Sequence, residues 1–197
     1  VYKRQVAEYT INHKMTHSQT LLPMIDEIFS MVQLKPDDVD VIAVSKGPGS
    51  FTGLRIGAAT GKGIALALDK KMVAVPTLAA MAYNLYGDSR YICPVMDARR
   101  KHLYSGIYTF DGDRLITVRD VNLESYDELA EELAGLDGQV VLVGDGVDVA
   151  GDVLKEQLGD KCVLAPAHIK TQRAGSVALL AKQMADNGEY TDADELK

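Results

Sequence analysis

Cysteine is scarce in this sequence. The only two, Cys93 and Cys162, stand far apart and without C-x-x-C spacing, which argues against a disulfide scaffold or a zinc knuckle and suits a reducing cytoplasm. Long apolar runs are missing as well. The most apolar stretch, residues 53–68, is interrupted by Arg55 and Lys62, so neither a membrane-spanning helix nor a signal peptide is expected. Positive charge is in deficit. A net charge of -7 denies the chain as a whole the electrostatic footprint of a protein that grips nucleic-acid phosphates. RNA contact would need a local basic patch or a more basic partner. The one dense basic run, Arg99-Arg100-Lys101, reads first as the solvated start of a strand.

What is present is ordinary globular material. With 197 residues, 47% apolar and 25% charged, the chain can bury a core as one large or two small domains. It begins without Met, and Val1-Tyr2-Lys3-Arg4-Gln5 reads unlike the regular pattern that follows, so truncation at both ends is expected.

Periodicity predicts a strand over 6–12, then a helix over 21–32 capped by Thr16 or Ser18, ending at Pro36-Asp37-Asp38. A buried-type strand over 39–44, a helix over 53–68, a strand over 71–75 and a helix from Thr77 to about Tyr86 follow. The pattern then restarts. Strands over 91–96, 102–110 and 115–122 form a meander, followed by a helix over 126–134, a strand over 140–143, a helix over 147–158, a strand over 162–165 and a helix over 174–187. The second half reads βββαβαβα and the first reads the same without two leading strands, which predicts an internal duplication with subdomains 1–88 and 89–197. The resulting α/β fold class resembles the actin, Hsp70 and sugar-kinase superfamily (ASKHA). A single doubly wound sheet is the alternative.

The strand over 39–44 runs into a glycine-rich turn that opens a helix. A phosphate-type loop there would comprise Gly47, Pro48, Gly49, Ser50, Thr52, Gly53 and Arg55, because free backbone N–H groups at a helix N-terminus favour an anion. Counting excludes the common nucleotide motifs. The dinucleotide fingerprint lacks a glycine at Thr52, and Gly61-Lys62-Gly63 lacks the Ser or Thr of a P-loop. A ligand loop and a tight structural turn both fit what remains.

No catalytic set emerges. Ser50 has no identifiable base and orienter, and His13 and His17, four apart, fall at a strand-to-helix junction rather than on a helix face. His102 and His168 are isolated in sequence. Asp97 at a strand end, the neighbouring Arg99 and Asp145 in Gly144-Asp145-Gly146 are candidates for a cleft, or equally turn residues.

Two helices carry surface signals instead. Leu21, Leu22, Met24, Ile25, Ile28, Phe29 and Val32, with Met31, span an apolar arc of roughly 180°, wider than one core requires. Gly53, Gly57, Gly61 and Ala65 recur every four residues and form a row that another helix can approach closely. Both features suit either a partner interface or packing within the domain.

Four ordered segments carry a family resemblance: Thr16-His17-Ser18-Gln19-Thr20-Leu21-Leu22-Pro23, Ser45 through Gly57, Pro76-Thr77-Leu78, and Pro94-Val95-Met96-Asp97-Ala98-Arg99-Arg100. Together they resemble the TsaB family from about Glu8 onward. The resemblance implies a paralogue of the catalytic subunit TsaD that has lost its chemistry. Such a paralogue serves as TsaD's partner, alongside the ATPase TsaE, in placing N6-threonylcarbamoyl on adenosine 37 of tRNA. It implies pairing with TsaD through the two helices, a homodimer through the same face, tRNA met only through the complex, and a cytoplasmic setting without a membrane. No tightly bound cofactor is implied, with ATP or ADP at the joint with the partner as the candidate ligand. The catalytic relative's helix histidines have no counterpart in Leu78-Ala79-Ala80-Met81-Ala82-Tyr83-Asn84, so no metal is implied. The family's first strand, with its Asp-Thr-Ser turn, and its C-terminal Tyr-Leu-Arg segment are missing. An actin-like ATPase or kinase and a metallopeptidase-like hydrolase are the alternatives.

Overall fold

The computed structural model describes residues 5–11 and 17–192, with the side chain of His17 outside that set. The described chain forms two compact units, one running to Pro76 and resuming at Arg173, the other spanning Thr77–Gln172.

The first unit is built on α1 (His17–Val32), β1 (Val41–Ser45), α2 (Phe51–Leu68) and β2 (Lys71–Val75), and it also takes the last helix, α6 (Ala174–Asp186). β1 and β2 pair in parallel, with Ile42 opposite Met72 and Val44 opposite Ala74. Strand alternation puts these four on one face, where Val44, Met72 and Ala74 pack with Ala65 and Ala58 of α2. Val73 and Val75 are fully buried on the opposite face, and α6 packs on the same two strands. After α6 the chain returns to the sheet: Thr191 N–H donates to the Met72 carbonyl at 2.9 Å, and Ala74 N–H donates to Thr191 Oγ1 at 3.3 Å.

The second unit holds α3 (Thr77–Ala82), β3 (Tyr91–Arg99), β4 (His102–Asp111), β5 (Arg114–Ser125), α4 (Tyr126–Gly135), β6 (Val140–Val143), α5 (Val147–Leu158) and β7 (Cys162–Leu164). Its sheet is mixed, in the order β5-β4-β3-β6-β7. β3 pairs antiparallel with β4 and parallel with β6. One face carries Cys93, Val95, Leu103, Val140 and Leu142 against Leu129, Leu133, Ala150 and Leu154 of α4 and α5. α3, buried along its whole length, packs on β3 and β4. A capping box starts α4: Glu128 N–H donates to Ser125 Oγ at 3.3 Å, and Ser125 N–H donates to the Glu128 carboxylate at 2.8 Å.

Three expectations change. Among the described residues 5–11 there is no strand; the segment is tied instead by Glu8. Its carboxylate accepts from Gly175 N–H at 3.0 Å and pairs with Arg173 at 2.8 Å, at the start of α6, where a helix favours negative charge. Asn12 lies outside the described residues. The α1 helix begins at His17, so Ser18 is inside it rather than capping it, and Thr16 lies outside the described residues. Finally, the units do not divide at 88/89: α3 belongs with the second sheet and α6 with the first, because each buries its apolar face there. Among the described residues, no helix is long and apolar enough to cross a membrane.

Candidate functional site

α1 packs against α2, and its apolar arc is covered only toward the middle. Leu21, Met24, Ile25, Ile28, Phe29 and Val32 are half-buried, whereas Leu22 and Met31, at the two edges of the arc, are 56% and 73% exposed. Ile28, Phe29 and Val32 line a groove of about 530 Å³ together with Ala178 and Leu179 of α6. Part of the arc predicted to face a partner therefore faces another helix of its own unit.

The small-residue row on α2 divides in two. Gly61 and Ala65 are buried against the strands of their own unit, where a Cβ on Gly61 would stand 2.5 Å from Val44 Cγ1. That corrects their assignment to an open partner face, since the close approach they permit is to β1 and β2. A Cβ on Gly57 would meet nothing within 4 Å, and at Gly53 only Ser50. Near the start of the helix Phe51 is 71% exposed, with the Arg55 guanidinium 4.8 Å from its ring centroid. Phe51 was missed by the sequence reading, which weighed the segment as a ligand loop or a tight turn and not for an exposed aromatic ring.

That turn closes around a side chain. Gly47 has φ of 109°, and Cβ atoms at Gly47 and Gly49 would lie 3.3 and 3.6 Å from the methyl carbons of Leu54. Pro48 follows a cis bond, Ser50 caps α2 by accepting from Gly53 N–H at 3.4 Å, and Thr52 is exposed. Of the proposed loop residues, Ser50 is spent on the helix cap and the Arg55 guanidinium lies over the Phe51 ring.

In the second unit, Asp97 and Asp145 do come together. They sit at the carboxyl ends of the adjacent parallel strands β3 and β6, where the sheet's connections diverge to opposite sides. Burial pushes the Asp145 carboxyl above the usual carboxylate range, and the Asp97 charge adds to this. The backbone N–H groups of Asp145, Asp97 and Gly146 pull the other way. The surrounding turn is tight. Gly144 has φ of 117°, a Cβ there would be 2.1 Å from the Val95 carbonyl oxygen, and Gly146 N–H donates to that oxygen at 3.1 Å. Arg99 N–H donates to the Asp97 carboxylate at 2.8 Å. Arg99 is exposed, at the root of the β3–β4 hairpin.

A buried ionic network went unread in the sequence. Arg119 on β5 donates to Ser105 Oγ at 2.9 Å, to Glu124 at 2.7 Å and to Glu132 at 3.0 Å, while Ser105 Oγ also donates to Glu124. Ser105 and Glu124 are buried. Burial of Arg119 works against its charge, but Glu124 and Glu132 raise its pKa further. Among the described residues no group of three or more His, Cys, Asp or Glu side chains could hold a metal ion. His102 Nδ1 lies 2.9 Å from the Arg100 carbonyl and His168 is exposed. His13 and the His17 side chain lie outside the described residues.

The family model described as TsaD, tRNA N6-adenosine threonylcarbamoyltransferase, matches residues 6–197. The tRNA threonylcarbamoyladenosine biosynthesis protein TsaB of Bacillus subtilis is 30% identical over 90% of this chain and 78% of its own length. The Escherichia coli protein of the same name is 33% identical over 77% of this chain and 68% of its own. Among solved structures, YeaZ from Pseudomonas aeruginosa superposes with a TM-score of 0.77 at 25% identity, covering 92% of this chain and 84% of that one.

Proposed function

The chain belongs to the TsaB family, and we propose that it acts as a non-catalytic partner subunit in tRNA threonylcarbamoyladenosine biosynthesis, pairing with TsaD to support transfer of threonylcarbamoyl to adenosine 37. The observation that carries this reading is the incompletely covered surface of α1 and α2. Leu22, Met31 and Phe51 are large and exposed, and Gly57 is open. Exposed apolar groups of this size on adjacent helices favour a protein partner, and an open glycine lets a helix approach closely. The interface then comprises Leu21, Leu22, Met24, Ile25, Met31, Phe51, Gly53 and Gly57. TsaE acts on the assembled pair, and ATP or ADP belongs to the joint with the partner rather than to this chain alone.

The same reading treats the fold as a duplicated actin-like arrangement. β1-α2-β2 and β6-α5-β7 are both parallel strand–helix–strand units, which supports descent of the two halves from one.

Reconstitution tests the proposal. Threonylcarbamoylation of tRNA by TsaD and TsaE is measured with and without this chain and with its Leu22→Asp variant. Burying an unpaired charge in an interface is strongly unfavourable. The variant is expected to fold normally, to lose co-purification with TsaD and to lose stimulation of modification. Modification that proceeds equally without the chain overturns the reading. A metal-dependent peptidase or kinase activity of the isolated chain would replace it.

A further inference from the structure

The hairpin joining β3 to β4 is closed by residues that its backbone disfavours. Arg99 pairs with His102 across the ladder, leaving Arg100 and Lys101 as a two-residue loop. All three residues before His102 are left-handed: φ is 68° at Arg99, 53° at Arg100 and 60° at Lys101. A two-residue loop with positive φ at both positions is ordinarily filled by Asn-Gly or Asp-Gly. For other residues the left-handed conformation costs roughly 1–2 kcal/mol each. Here three successive cations hold it.

Among the described residues, no carboxylate forms an ion pair with these side chains. Arg99, Arg100 and Lys101 are exposed. Side chains on either side hold the turn's backbone: Arg99 N–H donates to the Asp97 carboxylate, and the Arg100 carbonyl accepts from His102 Nδ1. In a chain of net charge -7 this is a concentrated spot of the opposite sign. It lies beside the carboxyl ends of β3 and β6, the side on which open α/β sheets meet their ligands, next to the Asp97 and Asp145 carboxylates, so a phosphate is drawn to the tip itself and not to the strand ends.

We propose that this hairpin tip contacts the phosphate backbone of the tRNA, so that the subunit touches the substrate of the assembly directly. The inference rests on the subunit reading above, which brings tRNA to the complex. Successive residues in a left-handed helical conformation turn by roughly 100° each, mirroring the right-handed helix. Their side chains therefore fan out instead of converging. A single phosphate meets one or two of them, whereas a chain of phosphates meets all three.

The test measures equilibrium binding of an unmodified tRNA transcript to the complex of TsaD with this full chain, over a range of salt. One variant is Arg99→Asn, Arg100→Asn and Lys101→Gly, which removes the charges and relaxes the turn, since Asn and Gly tolerate positive φ. A second, Arg99→Lys with Arg100→Lys, keeps the charge. The neutral variant is expected to bind tRNA about tenfold more weakly at 0.1 M salt. Its slope of log affinity against log salt should be shallower by about 2, since each lost phosphate contact removes about 0.7–0.9. The charge-keeping variant should retain the slope, and both should still co-purify with TsaD. An unchanged affinity and slope in the neutral variant, with normal modification by the wild-type assembly, overturns the inference alone. Loss of TsaD co-purification by the neutral variant overturns it in favour of an acidic protein partner. A wild-type assembly that neither binds nor modifies tRNA overturns the subunit reading together with this one.

Discussion

Gly61 on α2 lies so close to Val44 on β1 that a Cβ there would come within 2.5 Å of a valine methyl, whereas one turn earlier Gly57 has nothing within 4 Å. Replacing Gly61 by Ala gains about 1 kcal/mol of helix propensity but forces a stiff β-branched neighbour to move, which costs about 1–3 kcal/mol. Gly61→Ala is expected to lower stability by about 1 kcal/mol in chemical denaturation. Gly57→Ala should raise the stability of the isolated chain by up to about 1 kcal/mol while weakening its pairing with TsaD. A Gly57→Ala chain that pairs as well as wild type would remove Gly57 from the interface.

Gly144 should tolerate no side chain. Its φ of 117° and a Cβ position 2.1 Å from the Val95 carbonyl oxygen combine backbone strain with a clash against main chain that cannot rotate away. Gly144→Ala is expected to cost about 3 kcal/mol or more, seen as a large drop in the midpoint of thermal unfolding. Gly112, also at positive φ but with open space around it, serves as the comparison and should lose markedly less.

Arg119 is the positive member of a buried network, so Arg119→Met leaves Glu124, 6% exposed, without its partner. Breaking such a pair costs about 3–5 kcal/mol, whereas replacing both charges by apolar groups is often neutral or better. The triple change Arg119→Met, Glu124→Leu and Ser105→Ala, which leaves no partnerless hydroxyl at Ser105, should therefore recover most of the loss. Equal instability of the single and triple variants would mean that packing, not charge, is what Arg119 supplies.

Asp88 and Arg90 form a two-pronged pair, with contacts of 2.9 and 2.6 Å. The Arg90 side chain holds the Asp88 carboxyl below its ordinary range, against a smaller opposing effect of burial. A depressed carboxylate pKa contributes stability that is present above the unfolded value, near 3.9, and is lost as pH falls through the folded value. Since Arg90 is 37% exposed, solvent keeps the contribution under about 1 kcal/mol. Asp88→Asn should be slightly less stable than wild type at pH 7 and indistinguishable from it in strong acid. A difference that persists unchanged into acid would point to lost hydrogen bonds instead.

Much of this was legible in residue order. The strands over 71–75 and 140–143 and the helix over 147–158 stand where the patterns put them, because each is bounded by a Gly or Pro break or by an abrupt change of period. No strand forms over the described residues 5–11, because alternation within a segment cannot show whether a neighbouring strand is there to pair with it. The glycine row was visible as spacing. Spacing alone could not divide it, since Gly57 and Gly61 differ only in what stands opposite. The Arg119 network was invisible because Ser105, Arg119 and Glu124 meet across a β-bulged pair of strands with shifted register. The left-handed hairpin cations went unread because their composition signals a solvated start, while their meaning lies in φ.

The placement of α6 has a consequence for synthesis. Thr77–Gln172 is one uninterrupted stretch of chain, while α6, which packs on β1 and β2, emerges only after all of it. On the ribosome the nested stretch has all its pieces while the earlier-made β1 and β2 still wait for one of theirs. The β1–β2 pair gains its α6 cover and the Met72–Thr191 bridge only through a closure across more than a hundred residues, and long closures of this kind are slow.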